Sequence, residues 1–472
     1  MAQDQQHERR WRTLGVLGLS LVLIGLDNTV LNVALPSIQR ELAASASVLQ
    51  WMVDAYLLVF AGLLLLAGAL GDRYGRKRAL QAGLVLFGVA SVAAVFASDG
   101  DQVIAARAVM GLGAAFVMPA TLSIIIDVFP REERAKAIGA WAGMAAIGTG
   151  LGPAIGGALL EVTGWQSVFA LNLPVVAAAL VLGHRLVPDS RDPAPGRLDL
   201  AGASLSVAGL SALVYTIIEA PSHGWTSGTT LTGFAVAAVL GAAFTARERR
   251  AADPLLDVRL FRRPAFSLGS LAVAASFFAL FGMIFALTQF LQLVQGATPL
   301  EAGLKQMPVA LGLVLSAPVS AVVAARLGAR RVVAGAMAVL AVALAGVVTW
   351  TPETGTLTVC LFAFLVALAM GFVMGPATES VMSAVPEEHA GVGSATNDVN
   401  RMVAGALGVA VAGSLISTSY AGRLEEATSA LPAPAADAAA DSVGGAAAVA
   451  AQLPPQAADP DPVFARQRAA DV

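Results

Sequence analysis

The chain has 472 residues, of which 57% are hydrophobic and 13% charged, with a net charge of −3 and a mean hydropathy of +0.73. A soluble protein of this length carries about a quarter charged residues, so a soluble globular fold is excluded. A β-barrel is excluded with it, because it needs alternating segments of about ten residues and none are present.

The recurring apolar runs are each long enough to cross ~30 Å of hydrocarbon as a helix. Backbone groups in lipid must be satisfied within the segment, so the fold class is an all-α polytopic membrane protein. In chain order, spans are predicted at about 13–35, 48–69, 79–98, 103–126, 136–159, 167–187, 199–218, 229–246, 266–291, 302–325, 332–350, 357–382 and 402–419. The first is too long for a cleavable signal peptide. With the N-terminus cytoplasmic, 23 of the 29 basic residues fall on the inner side, Arg401 counted among them, which matches the positive-inside rule. Trp165, Trp225 and Trp350 fall at outer boundaries, where interfacial anchors sit. The division expected is 1–187 as an N-terminal half of six spans, 188–265 as a linker with an inserted helix pair, 266–419 as a C-terminal half of five spans, and 420–472 as an Ala/Pro-rich extracytoplasmic tail, with a short helix near 440–452. "AGALGDRYGRKR" after the second span echoes "SAVVAARLGARR" after the tenth, and paired repeats of this kind are typical of transporters.

Ionisable residues inside spans are few, and each needs a partner, water or a purpose. Asp27 in the first span, Asp54 in the second and Arg107 in the fourth fall at similar depth in the outer half. They are expected to form a carboxylate–arginine cluster facing a cavity, poised between desolvation and an adjacent cation so that it loads and releases protons. The alternative is that Arg107 pairs permanently with one aspartate and locks the bundle. Glu379, just after Gly375 and Pro376 near the inner end of the twelfth span, borders an opening where proline interrupts the helical ladder, or is an ordinary interfacial residue. Gly71, Asp72, Arg73, Gly75, Arg76 and Lys77 form a tight cytoplasmic turn, either a site of exchangeable salt bridges or simply a topogenic loop. Gly148, Gly152, Gly156 and Gly157 put small residues on one helix face around Pro153, a surface for close helix approach. On the ninth span Phe277, Phe281 and Phe285 repeat every four residues, and Gln289 and Gln292 continue nearly the same face. Such a wall suits an amphipathic ligand, and its rings can hold organic cations; the alternative is lipid-facing phenylalanine.

Five of these segments carry a resemblance. "GALGDRYGRKRAL" (Gly68 to Leu80) resembles the signature loop between helices two and three of major facilitator transporters. "RAVMGLGAA" (Arg107 to Ala115) resembles their fourth-helix motif, and "GTGLGPAIGG" (Gly148 to Gly157) their antiporter motif. "LDNTVLNVALP" (Leu26 to Pro36) and "LQWMVDAYLL" (Leu49 to Leu58) are similar to segments of the fourteen-span drug/proton antiporters. The resemblance covers roughly residues 13–420 and implies fourteen spans, of which thirteen are visible and the fourteenth is missing. It implies that Asp72, Arg73 and Arg76 latch the two halves in one conformation, that the ninth helix lines the cavity, and that proton entry drives expulsion of substrate. The implied function is proton-coupled antiport of small amphipathic drugs or antibiotics across a bacterial inner membrane, and two membrane acids fit lipophilic cations better than anions. A dedicated exporter of one endogenous metabolite uses the same helices, and a transport-inactive sensor or scaffold is the reading from a different class. No enzyme motif stands in the chain. The single Cys360 and scattered His7, His184, His223 and His389 suggest no metal site, and no cofactor or nucleic-acid partner is expected. Protons and the lipid bilayer are the partners besides substrate, and the functional unit is read as a monomer.

Overall fold

The computed structural model describes residues 2–191, 199–251, 254, 258–385 and 390–428. Most of the predicted tail, including the helix expected near 440–452, lies outside the described residues, as does the loop 192–198. Helices α1 (Ala2–Leu42), α2 (Ala46–Tyr74), α3 (Arg76–Val95), α4 (Gly100–Val128) and α5 (Arg131–Val162) come first, followed by one turn, α6 (Ser167–Ala170), and α7 (Asn172–Leu186). Next come the hairpin α8 (Leu200–His223) and α9 (Gly228–Glu248), then α10 (Pro264–Gln289), which runs into a π-helical turn over Phe290–Val294. Helices α11 (Pro299–Gln306), α12 (Pro308–Leu327), α13 (Ala329–Gly346), α14 (Thr356–Ser383) and α15 (Ala390–Thr428) complete the described residues. Among the described residues, 12 helices are long and apolar enough to cross a membrane. The remaining predicted span, 302–325, is divided between α11 and the 20-residue α12.

Local sequence sets where these helices begin and end. Ser45, Asp99, Asp199 and Ser227 each accept a hydrogen bond from the backbone N–H three residues on, and Thr298 with Glu301 forms a capping box at α11. The echo between the two basic turns is realised as one geometry. Gly75 (φ 118°) ends α2 and starts α3, and Gly328 (φ 85°) ends α12 and starts α13. Positive φ at the corner costs glycine nothing, which lets two antiparallel helices follow each other with a single residue between them.

The first seven helices pack as one group: α1 against α5 and α7, α4 against α2 and α3. The second group is built on α10 against α14 and α15, and α14 against α12 and α13. They meet along two seams, α5 with α11 and α12, and α2 with α15. The hairpin lies on the second seam, α8 touching both α2 and α15 while α9 packs on α8. Two expectations change. Trp165 is fully buried, edge-on to Phe169, because its ring fills the join between α6 and its neighbours instead of anchoring at an interface. Arg401, taken above as a loop residue ahead of the last span, lies eleven residues inside α15, which starts at Ala390.

At the ends of the hairpin that carry the basic residues, Arg247 donates through Nε and Nη2 to both oxygens of Asp199, at 2.6–3.0 Å. The same carboxylate caps α8 through Gly202 N. The Arg247 guanidinium holds the Asp199 carboxyl below its ordinary range, helped by the Gly202 N–H. A depressed carboxyl contributes its stability above its ordinary pKa and loses it only as pH falls through the lowered value. Asp199→Ala is therefore expected to cost about 1 kcal/mol from the lost cap. The wild-type advantage in melting temperature is expected to stay constant from neutral pH down to about 5 and to shrink only below about 4, as thermal unfolding across that range would measure.

Candidate functional site

The centre of the first group is an ion pair shut away from solvent. Arg107 on α4 donates from Nη1 to Asp27 Oδ2 on α1 at 2.5 Å, with side chains 2% and 1% exposed. Nε of the same guanidinium donates to the Met52 carbonyl on α2 at 3.0 Å, and its plane lies 4.3 Å from the centre of the Tyr56 ring. Asn172 on α7 donates to Asp27 Oδ1 (3.1 Å) and reaches Ser91 Oγ on α3 (3.3 Å). One pair of opposite charges thus joins α1, α2, α3, α4 and α7. A buried pair is tolerable because hydrogen bonds take up its remaining donors and acceptors, and losing one member leaves the other charge stranded.

Asp54 does not join this cluster. Met52 and Tyr56 face Arg107, and at 100° per residue position 54 points to the opposite side of α2. There Asp54 is fully buried, and neither carboxylate oxygen has a hydrogen-bond partner among the described residues. Gln50, one turn away on the same face, also has an unpartnered carbonyl oxygen, and its side chain lies against Gly413 of α15. The expected three-membered cluster is therefore split in two: a closed pair inside the first group, and a lone carboxyl on the face of α2 turned to the seam with α15. Helical phase, which depth alone does not capture, is the reason.

The antiporter-like helix has two working faces. A Cβ placed on Gly148 would fall 2.9 Å from Val22 Cα, one on Gly152 3.0 Å from the Leu26 carbonyl, and one on Gly156 2.6 Å from Val30 Cγ2, so this row seats α1. Gly157 and Gly150 look the other way: a Cβ there would lie 2.7 Å from Leu300 Cα and 3.0 Å from Ala310 Cα, and the Pro153 carbonyl abuts Gly303. Small residues let the backbones of α5 and α11 touch. The same far end, opposite the basic loops, is fastened by Thr298 donating to Glu161 (2.7 Å) and by Gln292, whose Nε2 donates to the Val33 carbonyl (2.8 Å).

The basic turn at the opposite end bonds within its own group. Arg76 pairs with Asp72 (2.8 Å) and approaches Asp127 (3.9 Å), Arg76 N donates to the Ser190 carbonyl, and Lys77 donates to the His184 carbonyl. Gly71 gives α2 room to pass Ala79, and the exposed Arg73 lies over the Tyr74 ring. The far end is thus fastened across the two groups, while among the described residues the basic loop is bonded within the first group.

On α10, Phe277 is half-buried and stacked with the buried Phe281 (6.1 Å), Phe285 is fully buried, and Gln289 is half-buried. Gln292, buried and spent on the Val33 carbonyl, belongs to the far-end fastening. Glu379 is exposed near the end of α14. Sequence reasoning missed Arg401. Its guanidinium pairs with Asp398 (3.3 Å), donates to Thr378 Oγ1 (3.2 Å) and lies 5.7 Å from the Phe277 ring centre, joining α15, α14 and α10. The signal was the Asp398–Arg401 spacing of three, which suits one helix face.

The profile of the Major Facilitator Superfamily matches residues 17–409. The chain is 36% identical over 447 residues to the multidrug efflux pump LfrA of Mycolicibacterium smegmatis, covering 94% of this chain and 88% of that one. It is 35% identical over 412 residues to the tetracenomycin C resistance and export protein of Streptomyces glaucescens, covering 87% and 76%. Its fold is similar to that of an inward-facing, unoccupied bacterial homologue of the human lysosomal transporter Spinster, with a TM-score of 0.63 at 19% identity over 98% of this chain and 93% of that one.

If Gly157 seats α11, then Gly157→Leu is expected to wedge the far end apart. In a Cys360→Ser background, Val33→Cys, buried in the wild type, should then react several-fold faster with a membrane-impermeant maleimide. Unchanged labelling would mean that α5 and α11 do not form the seal.

Proposed function

The chain belongs to the major facilitator superfamily, and on that premise we propose that it is a proton-coupled exporter of small amphipathic compounds working by alternating access. The observation that carries the proton step is Asp54, a carboxyl with no hydrogen-bond partner among the described residues, enclosed on the α2 face turned to α15. A carboxylate in such a place is far costlier than the neutral acid. Shut away from water, Asp54 holds a proton; where water reaches it, from the far side or from the basic side, it can ionise. Closing the seam then requires a proton taken from the far side, where substrate has just left, and release of that proton toward the basic side completes the cycle. Asp27 and Arg107 serve as the brace against which α2 moves, Asp72, Arg73 and Arg76 as the latch at the basic end, and the glycines around Pro153 as the far-end seal. Phe277, Phe281, Phe285 and Gln289 supply the aromatic wall, and Glu379 borders the mouth at the basic end.

In this reading the protein is a multi-pass bacterial inner-membrane protein, its basic end and N-terminus cytoplasmic, acting as a monomer with protons and substrate as its partners. Residues 1–187 and 266–419 form the two moving halves. Multidrug and antibiotic export by relatives more than a third identical supports the substrate class.

Brace and carrier differ in their expected signatures. Asp54→Asn mimics the protonated acid, so it should abolish accumulation driven by a pH gradient in inverted vesicles while leaving substrate counterflow within about twofold. Asp27→Asn strands Arg107 and should destabilise the protein by about 3–5 kcal/mol, lowering both activities together. Proton-driven accumulation at the wild-type rate by Asp54→Asn would remove it from the coupling path.

A further inference from the structure

The hairpin α8–α9 has no part in the cycle above, yet it walls an apolar cavity in the membrane part. Its far end is bolted to α15: Ser414 Oγ donates to the Ile217 carbonyl (2.6 Å) and Trp225 Nε1 to Thr418 Oγ1 (3.2 Å). Against α2 it approaches so closely at Gly62 that an added Cβ would lie 2.5 Å from Val207 Cγ2. Between these contacts α2, α8, α9 and α15 surround a cavity of 380 Å³. Its walls include Ala61 and Leu65 from α2, Leu210 from α8, Phe234 and Phe244 from α9, and Val403 from α15. Ser206 is the single polar residue in the lining.

Four observations decide what this space holds. First, a cavity whose lining offers one side-chain hydroxyl, Ser206, is a poor host for ordered water, which needs two or more polar partners, and an unfilled void lowers stability in proportion to its volume. Second, Leu65, Leu210, Phe234, Phe244 and Val403 are all half-buried, so the space is reached from outside the protein. Third, Ala61 lies 13 residues from the basic end of α2, about 20 Å at 1.5 Å per residue, which is hydrocarbon depth in a ~30 Å core. Fourth, Gln50, Asp54, Ala61 and Leu65 follow one another at spacings of four, seven and four on a single face of α2. The cavity therefore continues the very seam on which Asp54 sits.

We propose that this cavity is a lateral binding site in which the apolar portion of the exported compound is held at hydrocarbon depth before it passes between α2 and α15. The ligand class is an alkyl chain or fused apolar ring system attached to a polar head. The volume lies within the range of small-molecule pockets, about 300–1,000 Å³. The inserted hairpin forms the outer wall of the site, and parting of the α2–α15 seam opens its inner wall. The inference rests on the export reading for what is bound, but its own test needs no transport.

The test uses dodecylpyridinium with a diazirine at the chain end, bound to the full chain in lipid nanodiscs. Photolabel is expected on the peptides holding Leu205–Leu213 and Phe234–Phe244, displaced by unlabelled dodecylpyridinium. Ser206→Phe, which fills the cavity from a position whose side chain makes no hydrogen bond among the described residues, should abolish that labelling, and Phe244→Ala, which enlarges it, should retain it. In inverted vesicles Ser206→Phe should lower kcat/KM for dodecylpyridinium at least about tenfold, given ~0.8 kcal/mol per buried methylene, while butylpyridinium stays within about twofold. Label elsewhere, label indifferent to Ser206→Phe, or a cavity labelled by a diazirine phospholipid that the cation does not displace would each overturn the proposal, the last by making the occupant a resident lipid. Correct labelling without transport of either compound would sink the export reading and leave the site standing. Transport with no dependence on chain length would do the reverse.

Discussion

Everything in the first group of helices depends on one buried guanidinium. At membrane depth Arg107 has no water to fall back on, and its charge is tolerable because Asp27, the Met52 carbonyl and the Tyr56 ring meet it from two other helices. Through Asn172 the same carboxylate also gathers α7 and, at one remove, α3. In water such a pair adds little; in hydrocarbon its failure strands a charge, so the geometry of five helices follows from satisfying it. Asp398 and Arg401 repeat the device in the second group with smaller reach, tying α15 to α14 and α10. Each group is tied together by a buried ion pair of its own.

The seams are built differently. Between α5 and α11 there is glycine against backbone, a contact of shape with no charge in its centre. Lipid gives no hydrophobic drive for two helices to associate, so close packing of small residues has to supply the attraction. Such a contact is lost steeply when the helices part by even an ångström. Between α2 and α15 the far end is sealed over Gln50 and Asp54, polar groups that cost free energy where they stand. One seam favours closure by fit and the other opposes it by chemistry, which is the balance a two-state transporter requires.

How much of this was legible in the sequence varies with the kind of interaction. Every predicted span falls on helical chain, although 167–187 and 302–325 are each divided between two helices, because hydropathy and length are nearly sufficient in lipid, and the pairing of Asp27 with Arg107 followed from matched depth. The division of Asp54 from them did not, since depth ignores helical phase: residues 52 and 56 claim the side facing α4, and 54 is left on the other. Gln292 read as a continuation of the phenylalanine face, but the π-helical turn at the end of α10 rotates it toward Val33. Arg401 was lost at a boundary: asparagines, an aspartate and a threonine at 396–400 depress hydropathy, although their side chains are absorbed inside the bundle, Asn400 by the Ser270 carbonyl and Asp398 by Arg401 itself. Polar residues disguise a helix in lipid when their partners are distant in sequence.

The position of Asp54 also bears on why an extra hairpin belongs where it does. A seam that must open at hydrocarbon depth exposes unpaired polar groups to lipid at its edge, and lipid has nothing to offer them. Helix α8, lying across α2 and α15 with its far end bolted to Ser414 and Thr418 through Ile217 and Trp225, screens that edge while leaving the middle of the seam hollow. The opposite seam, α5 with α11, has backbone and small residues at its centre and the Thr298–Glu161 hydrogen bond at its far end, and it has no such cover among the described helices. Unpartnered polar groups at the edge of a helix seam call for an apolar shield beside them, and α8 supplies one, with the cavity lying between it and the seam.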